Sequence, residues 1–161
     1  MADAAKAFTR LSRIPGGRWV FSRILVRRAP YFGTVRPSVR AVRRGHAEVA
    51  LPKRRAVENH IGTFHIIAVC NGLEAAMGLL AEATVPPGMR WIPKGMQVDY
   101  VAKGKTDLLC VADSDPDAWH TAGDVPVHVK AVSADGVVVV EGTITVYVSV
   151  EPGVSGPPPA G

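Results

Sequence analysis

The chain has 161 residues, of which 47% are hydrophobic and 20% charged, which suffices for one globular domain with a core of its own. Its two cysteines, Cys70 and Cys110, are too few for a disulfide framework or a four-ligand zinc site, so a reduced, cytoplasmic protein without a metal or other cofactor is expected. Asn71 and Glu74 interrupt the longest apolar run, which argues against a membrane-spanning segment.

The charge is distributed unevenly along the chain. Residues 1–55 hold 14 Lys and Arg against two acidic residues, whereas residues 56–161 hold 5 against 12, so the first third carries +12 and the remainder −7. Such a basic segment suits nucleic acid, acidic lipid headgroups or a phosphorylated small molecule. Because the chain contains no recognisable nucleic-acid-binding motif, nucleic acid is the least favoured of the three.

Three segments are expected along the chain. Residues 1–30 form a lead-in element, with a helical segment whose apolar side carries Trp19, Phe21, Ile24 and Leu25. Residues 31–151 form the main domain. Residues 152–161, rich in Pro and Gly, have almost nothing to bury and are predicted to be disordered.

The main domain starts with two strands and a long helix. Strands are predicted over residues 35–44 and 46–51, with the turn at Gly45. A helix is predicted over residues 65–83, because this segment lacks proline and stops at Pro86-Pro87-Gly88. This helix is apolar nearly all the way round, so other elements must wrap it.

Four further strands follow, predicted over residues 91–101, 106–112, 125–133 and 137–150. The last one is the clearest, because its valines alternate with polar residues as expected for a sheet with one buried face. Two strands, one buried helix and four strands predict an α+β fold in which an antiparallel sheet of five to six strands curls around a central helix.

This order of elements resembles the hotdog-fold superfamily, and particular residues carry the resemblance. The run Asn59–His65 (NHIGTFH) leads into the helix, and Glu74 follows nine positions after His65. This spacing is similar to the Asn, Gly, His and Asp/Glu pattern of phenylacetate-degradation-type acyl-CoA thioesterases. Together with residues 29–34 (APYFGT) and 90–96 (RWIPKGM), the run also resembles a poorly characterised bacterial branch of hotdog proteins regarded as thioesterase candidates. The likeness covers roughly residues 10–150.

The resemblance implies hydrolysis of an acyl-CoA thioester at the interface of a homodimer, or of a tetramer built from two dimers. Glu74 is then the general base or the nucleophile, while Asn59 and His65 orient the carbonyl or the water. One departure bears on activity. Ile66 and Ile67 stand where these thioesterases have two glycines, and their bulk would narrow the acyl pocket.

Glu74 and His65 also have a structural interpretation. Glu74 suits general-base chemistry if the sheet removes it from water, but it is otherwise an ordinary solvated helix glutamate. His65 serves equally well as a structural histidine at the helix start. His60 lies fourteen positions before Glu74, a spacing similar to that of hotdog dehydratases, although their Pro-Gly helix entry is missing.

The predicted substrate-binding residues are Gly62, Thr63, Asn71, Lys103 and Lys105. Thr63 is alternatively a helix cap, and Asn71 a hydrogen-bonded core amide. Lys103 and Lys105 would hold CoA phosphates or form a solvated turn. A second class of function also stays open: a non-catalytic acyl-ligand or interaction module, which the Ile66-Ile67 departure favours.

Overall fold

The computed structural model describes residues 4–151, so the tail predicted over residues 152–161 lies outside the described residues. The helices are α1 (Ala4–Ser12), α2 (Gly17–Arg28) and α3 (Ile66–Thr84). The strands are β1 (Ser38–Arg43), β2 (His46–Leu51), β3 (Met89–Tyr100), β4 (Leu108–Asp113), β5 (Gly123–Ser133) and β6 (Val138–Val150). Short 3-10 helices lie at Pro30–Val35, Arg55–Val57 and Pro116–His120.

The six strands form one antiparallel sheet in the order β1-β2-β4-β5-β6-β3. Helix α3 packs mainly against β2 and β4 near one side of this order, and it also contacts β5 and β6. Twelve of its nineteen residues are buried, as expected for a helix that is apolar nearly all the way round. The predicted α+β fold, with an antiparallel sheet around one central helix, is confirmed.

Close approach between α3 and the sheet depends on Gly72. A Cβ atom at this position would lie 2.4 Å from Leu51 Cδ1 and 2.9 Å from Cys110 Sγ. Leu51 and Cys110 belong to the neighbouring strands β2 and β4, and both are completely buried. Helix α3 is long and apolar enough to cross a membrane, but most of it is buried inside the protein, which identifies it as the core helix.

Two predictions about these elements need correction: the start of β1 and the buried side of α2. Strand β1 begins at Ser38 instead of residue 35, because Pro30–Val35 form a 3-10 helix that ends at Arg36 in a left-handed conformation (φ 51°). In the lead-in element, α2 forms, but Trp19 and Ile24 are 68% and 43% exposed, so their predicted place on the buried side is wrong. Phe21 provides the packing instead, with its ring 5.2 Å from that of Phe8 in α1.

Strand β3 is an exposed edge of the sheet. It is twelve residues long and pairs only with β6, so its other side has no strand partner within the described residues. Ile92, Met96 and Tyr100 are all exposed along it. A long edge strand with apolar side chains is a surface on which another strand can pair.

The tight fit at Gly72 leads to a stability prediction. Gly72→Ala should lower the free energy of unfolding, because overpacking a core typically costs about 1–3 kcal/mol and the better helix propensity of alanine, about 1 kcal/mol, offsets only part of it. Gly78→Ala is the matched control on the same helix, where the nearest atom to an added Cβ is Trp91 Cη2 at 3.6 Å. Urea unfolding should show Gly72→Ala less stable than wild type and Gly78→Ala equal or more stable. Equal stability of the two variants would contradict this view of the core.

Candidate functional site

The loop before α3 is shaped by the side chain of Asn59. Its Oδ1 accepts hydrogen bonds from the backbone N–H groups of Ile61 and Thr63, both at 3.1 Å, and its Nδ2 donates to Thr63 Oγ1 at 2.9 Å. Gly62 completes the turn with a left-handed backbone (φ 75°). Both polar groups of the Asn59 amide are therefore engaged within the loop, which makes the loop rigid. A direct contact of Asn59 with a substrate stays a prediction.

His65 is the residue that caps α3. Its Nδ1 accepts a hydrogen bond from Ile67 N at 3.2 Å, and its own backbone N donates to Val57 O at 2.8 Å. Since Nδ1 is an acceptor, the neutral ring carries its proton on Nε2, and the ring is exposed to solvent. The alternative in which Thr63 caps the helix is wrong, because the N-cap residue is His65, while Thr63 Oγ1 accepts a hydrogen bond from Asn59.

The first amides of α3 are mostly occupied. Ile67 N donates to the His65 ring, and Ala68 N and Val69 N donate to His65 O at 2.9 and 3.3 Å. No hydrogen bond is found for Ile66 N within residues 4–151. This amide and the His65 Nε2–H are thus the two donors at the helix start that remain for another group, in the place where the helix dipole is positive.

The loop with the two predicted phosphate-binding lysines contacts the helix start. Phe64 N donates to Gly104 O at 2.9 Å, and a Cβ at Gly104 would lie 3.1 Å from Phe64 Cβ. Lys103 and Lys105 flank Gly104 and are both exposed. The structure therefore brings these lysines beside the loop of Asn59, Gly62 and Thr63.

Asn71 joins α3 to the 3-10 helix Pro30–Val35. Its Nδ2 donates to Thr34 Oγ1 at 3.0 Å and to Tyr31 O at 3.3 Å. The Tyr31 carbonyl can only accept, which fixes the amide nitrogen on this side. The Asn71 side chain is buried, and its Oδ1 has no hydrogen-bond partner among the described residues. The interpretation as a hydrogen-bonded core amide therefore holds for the nitrogen but not for the oxygen.

Arg54 adds a second buried polar atom without a partner next to the same segment. Its Nη2 donates to Thr34 O, while its Nε is buried and makes no hydrogen bond within residues 4–151. A donor from Arg54 and an acceptor from Asn71 thus lie near Thr34. Sequence reasoning did not single out Arg54 or Thr34. The resemblance of residues 29–34 was the available signal for Thr34, whereas Arg54 stood within a run of basic residues.

Glu74 lies on the side of α3 that the sheet leaves open. It is half-buried, and its carboxylate has no hydrogen bond or ion pair among the described residues. Cys70, Asn71 and Gly78 are its neighbours on this side of the helix. The Trp91 ring lies further along the same face, with Nε1 donating to Glu82 Oε1 at 3.3 Å. Burial raises the pKa of the Cys70 thiol, which keeps it protonated and makes it a weak nucleophile.

The predicted site residues fall into two groups within one chain. Asn59, Gly62, Thr63, His65, Lys103 and Lys105 gather at the start of α3, whereas Glu74 and Asn71 lie further along the helix. Nine residues of α-helix correspond to about 13 Å along the axis. Glu74 and His65 of one chain are therefore too far apart to act on the same bond. Within residues 4–151, no group of three His, Cys, Asp or Glu side chains is placed to hold a metal ion.

Comparisons with known proteins agree with this architecture. A family model described as a domain of unknown function, DUF4442, matches residues 17–148. A crystal structure described only as the structural-genomics target APC5556 is 40% identical, covers 92% of this chain and 99% of that chain, and gives a TM-score of 0.80. None of the curated proteins compared with the chain matches it.

Two further similar structures come from named bacteria. A Pseudomonas aeruginosa protein described as a probable thioesterase is 16% identical, with 81% of this chain and 93% of that chain covered and a TM-score of 0.72. A Bacillus halodurans protein described with CoA is 27% identical, with 63% of this chain and 66% of that chain covered and a TM-score of 0.56. The chain therefore belongs to the DUF4442 family, and its sheet order, its central helix and these structural neighbours make it a hotdog-fold protein.

Proposed function

We propose that the protein hydrolyses acyl-CoA thioesters at a site shared by two subunits, with Glu74 as the general base or nucleophile. The observation that carries this proposal is the half-buried Glu74 carboxylate on the open side of α3, which has no hydrogen bond or ion pair among the described residues. Thioesterase descriptions among the structural neighbours and the CoA of the Bacillus halodurans protein support the reaction class.

The separation of the two groups of residues supports a shared site. Glu74 of one chain needs donors that its own His65 cannot reach, and a second subunit can supply them. The exposed edge of β3 gives the two copies a place to pair. Because Trp91 of β3 reaches Glu82 on the open side of α3, this pairing would bring the open sides of the two α3 helices toward each other. Glu74 of one protomer would then face the α3 start of its partner.

In the general-base form of the reaction, Glu74 takes a proton from a water molecule whose oxygen attacks the thioester carbonyl carbon. The carbonyl oxygen becomes negative and is stabilised by the partner's Ile66 N–H and His65 Nε2–H. The carbon–sulfur bond then breaks, the CoA sulfur takes up the proton that Glu74 accepted from the water, and the products are a carboxylic acid and free CoA.

The position of Lys103 and Lys105 supports a site for the phosphates of CoA. Both side chains are exposed beside the start of α3, where the thioester carbonyl would bind. Asn59, Gly62 and Thr63 then act by holding this loop in shape. A CoA thioester substrate and the two free cysteines also fit a cytoplasmic protein.

A second candidate function rests on Ile66 and Ile67, which occupy the first turn of α3. Ile67 is 57% exposed and stands where an incoming acyl group would pass. The bulk of these two side chains favours a hotdog protein that binds acyl thioesters without hydrolysing them. Release of free CoA from a panel of acyl-CoA thioesters distinguishes the two, because a binding module gives none.

The catalytic role is tested by Glu74→Gln. This change keeps the volume but removes the proton acceptor, so kcat should fall by about 100- to 10,000-fold while the thermal melt stays near that of wild type. Glu82→Gln is the matched control, since Glu82 lies two turns further along α3 and is bound to Trp91. It should retain wild-type turnover. Undiminished hydrolysis by folded Glu74→Gln would exclude Glu74 as base or nucleophile.

The dimer is tested by a charge in the middle of β3. If β3 pairs antiparallel with its copy, Met96 lies near the two-fold axis, so Met96→Asp sets two carboxylates close together. Light scattering should show a monomer for this variant and at least a dimer for wild type, and CoA release should fall in parallel. Val137→Asp adds the same charge at another exposed apolar position and should stay dimeric. A monomeric wild type at micromolar concentration would contradict the shared site.

The lysines are tested by comparing two substrates. Lys103→Gln combined with Lys105→Gln should raise KM for an acyl-CoA by about 2- to 30-fold, since two exposed charge contacts contribute about 0.2–1 kcal/mol each. The same variant should hydrolyse an acyl thioester of a short thiol without phosphates at the wild-type rate. An equal loss on both substrates would show that the lysines act on the loop and not on the phosphates.

A further inference from the structure

The outer face of α2 combines exposed apolar residues with arginines in two adjacent rows. One row is Trp19, Arg23 and Arg27, and the other is Val20, Ile24 and Arg28, each with a spacing of four residues. Trp19 is 68% exposed, Ile24 43% and Val20 39%. In each row, the apolar residues lie toward the start of the helix and the arginines toward its end. We call these six residues the α2 face.

The elements that pack against α2 contain basic residues and, within the described chain, no acidic ones. No Asp or Glu occurs between residues 4 and 47, a stretch that contains eleven Lys and Arg. The elements that pack against α2, namely α1, the 3-10 helix Pro30–Val35 and β1, lie within this stretch. The arginines of the α2 face are thus without acidic partners on every neighbouring element, and their positive field extends outward.

The apolar part of the face is ordered and not buried in the protomer. The Arg23 guanidinium lies over the Trp19 ring, 5.8 Å from its centroid, and holds the indole on the surface. Ile14 is 56% exposed in the turn that precedes α2, so the apolar patch continues beyond the helix. Arginines at a helix end are favoured by the helix dipole, but this explains neither an exposed tryptophan nor the exposed Ile14 and Ile24.

The α2 face also lies away from the surface proposed for the dimer. Helix α2 packs on β1, and β1 and β3 are the two opposite edges of the sheet. A hydrogen bond from Val39 N to Ser22 Oγ, at 3.0 Å, ties α2 to the β1 edge. Pairing through β3 would therefore leave the α2 face uncovered.

We propose that the α2 face docks on the surface of an anionic lipid bilayer. A helix with apolar and basic residues binds in the interface, where Trp and Ile enter the headgroup region and arginines contact lipid phosphates. The charge of the face matches a surface rich in anionic lipid. A nucleic acid would engage the arginines as well, but it would leave Val20 and Ile24 exposed to water. This inference does not depend on the proposed enzymatic function.

The docking is tested by sedimentation of the full chain with vesicles. The protein should bind vesicles of phosphatidylcholine mixed with phosphatidylglycerol, bind those of phosphatidylcholine alone at least 10-fold more weakly, and dissociate as salt is raised. Binding should shift the fluorescence of exposed Trp19 to the blue, and Trp19→Phe should remove this shift. Wild-type binding that is equal on both kinds of vesicle, or absent from both, would overturn the proposal.

Two double variants separate the charge from the apolar contribution. Arg23→Glu with Arg27→Glu should weaken binding by at least about 25-fold, because each of the two lost basic residues contributes about fivefold and the new carboxylates add repulsion. Trp19→Ser with Ile24→Ser keeps all the charges and should weaken binding at least about 10-fold. Arg55→Glu with Lys130→Glu changes the net charge equally at exposed positions outside both α2 and β3, and it should bind as wild type apart from a small general effect of charge.

Three results would overturn the proposal. The first is vesicle binding that the control variant loses as fully as the α2 variant, because net charge alone would then explain it. The second is binding to duplex DNA that is tighter than to anionic vesicles and unaffected by Trp19→Ser with Ile24→Ser. The third is a combination of two findings: the wild type binds no vesicles, and Trp19→Ser with Ile24→Ser changes the oligomeric state. The α2 face would then be a protein interface. Circular dichroism and thermal melts establish that each variant is folded.

Discussion

The close packing of α3 on the sheet at Gly72 is the constraint on which the rest of the structure depends. A helix that is apolar nearly all round is unstable when exposed to water, so the sheet must pack closely against it to bury its surface. The absent Cβ of Gly72 lets Leu51 and Cys110 approach. This contact sets the depth of α3 in the sheet, and with it the position of the capped helix start and of the open side that carries Glu74.

The sheet covers most of α3 but not all of it, and within residues 4–151 two polar groups of this helix lack a partner, one on the uncovered side and one in the interior. Glu74 has no partner among the described residues, and Asn71 Oδ1 is buried without one. A buried acceptor without a hydrogen bond is costly, so such groups persist where a water or a ligand completes them. A stable core and a reactive surface therefore occupy two sides of the same helix.

The sequence determined the regular elements well and the polar contacts poorly. In β6 and α3, many successive residues carry the same signal: valine alternates with polar residues in β6, and α3 is apolar over most of its length and lacks proline. Local pattern alone therefore located both elements to within a few residues. The engagement of Asn59 in its own loop and the meeting of Arg54 and Asn71 near Thr34 depend on individual hydrogen bonds between segments. No periodicity encodes such bonds. The predicted orientation of α2 was wrong for a related reason, because tertiary packing alone decides that Phe21 is buried and Trp19 is not.

The edge strand and the α2 face lie on opposite sides of the sheet order, and this separation has a consequence for assembly. Pairing through β3 joins two sheets at one edge and leaves an α2 face at each far end. Twelve strands at about 4.8 Å spacing put these two faces roughly 50 Å apart measured along the curved sheet, and closer than that in a straight line. A two-fold axis perpendicular to the joined sheet keeps both α2 helices on the same side of it. Once one face binds a bilayer, the second is held near the same surface, so its binding becomes intramolecular and a dimer would bind far more tightly than a single face.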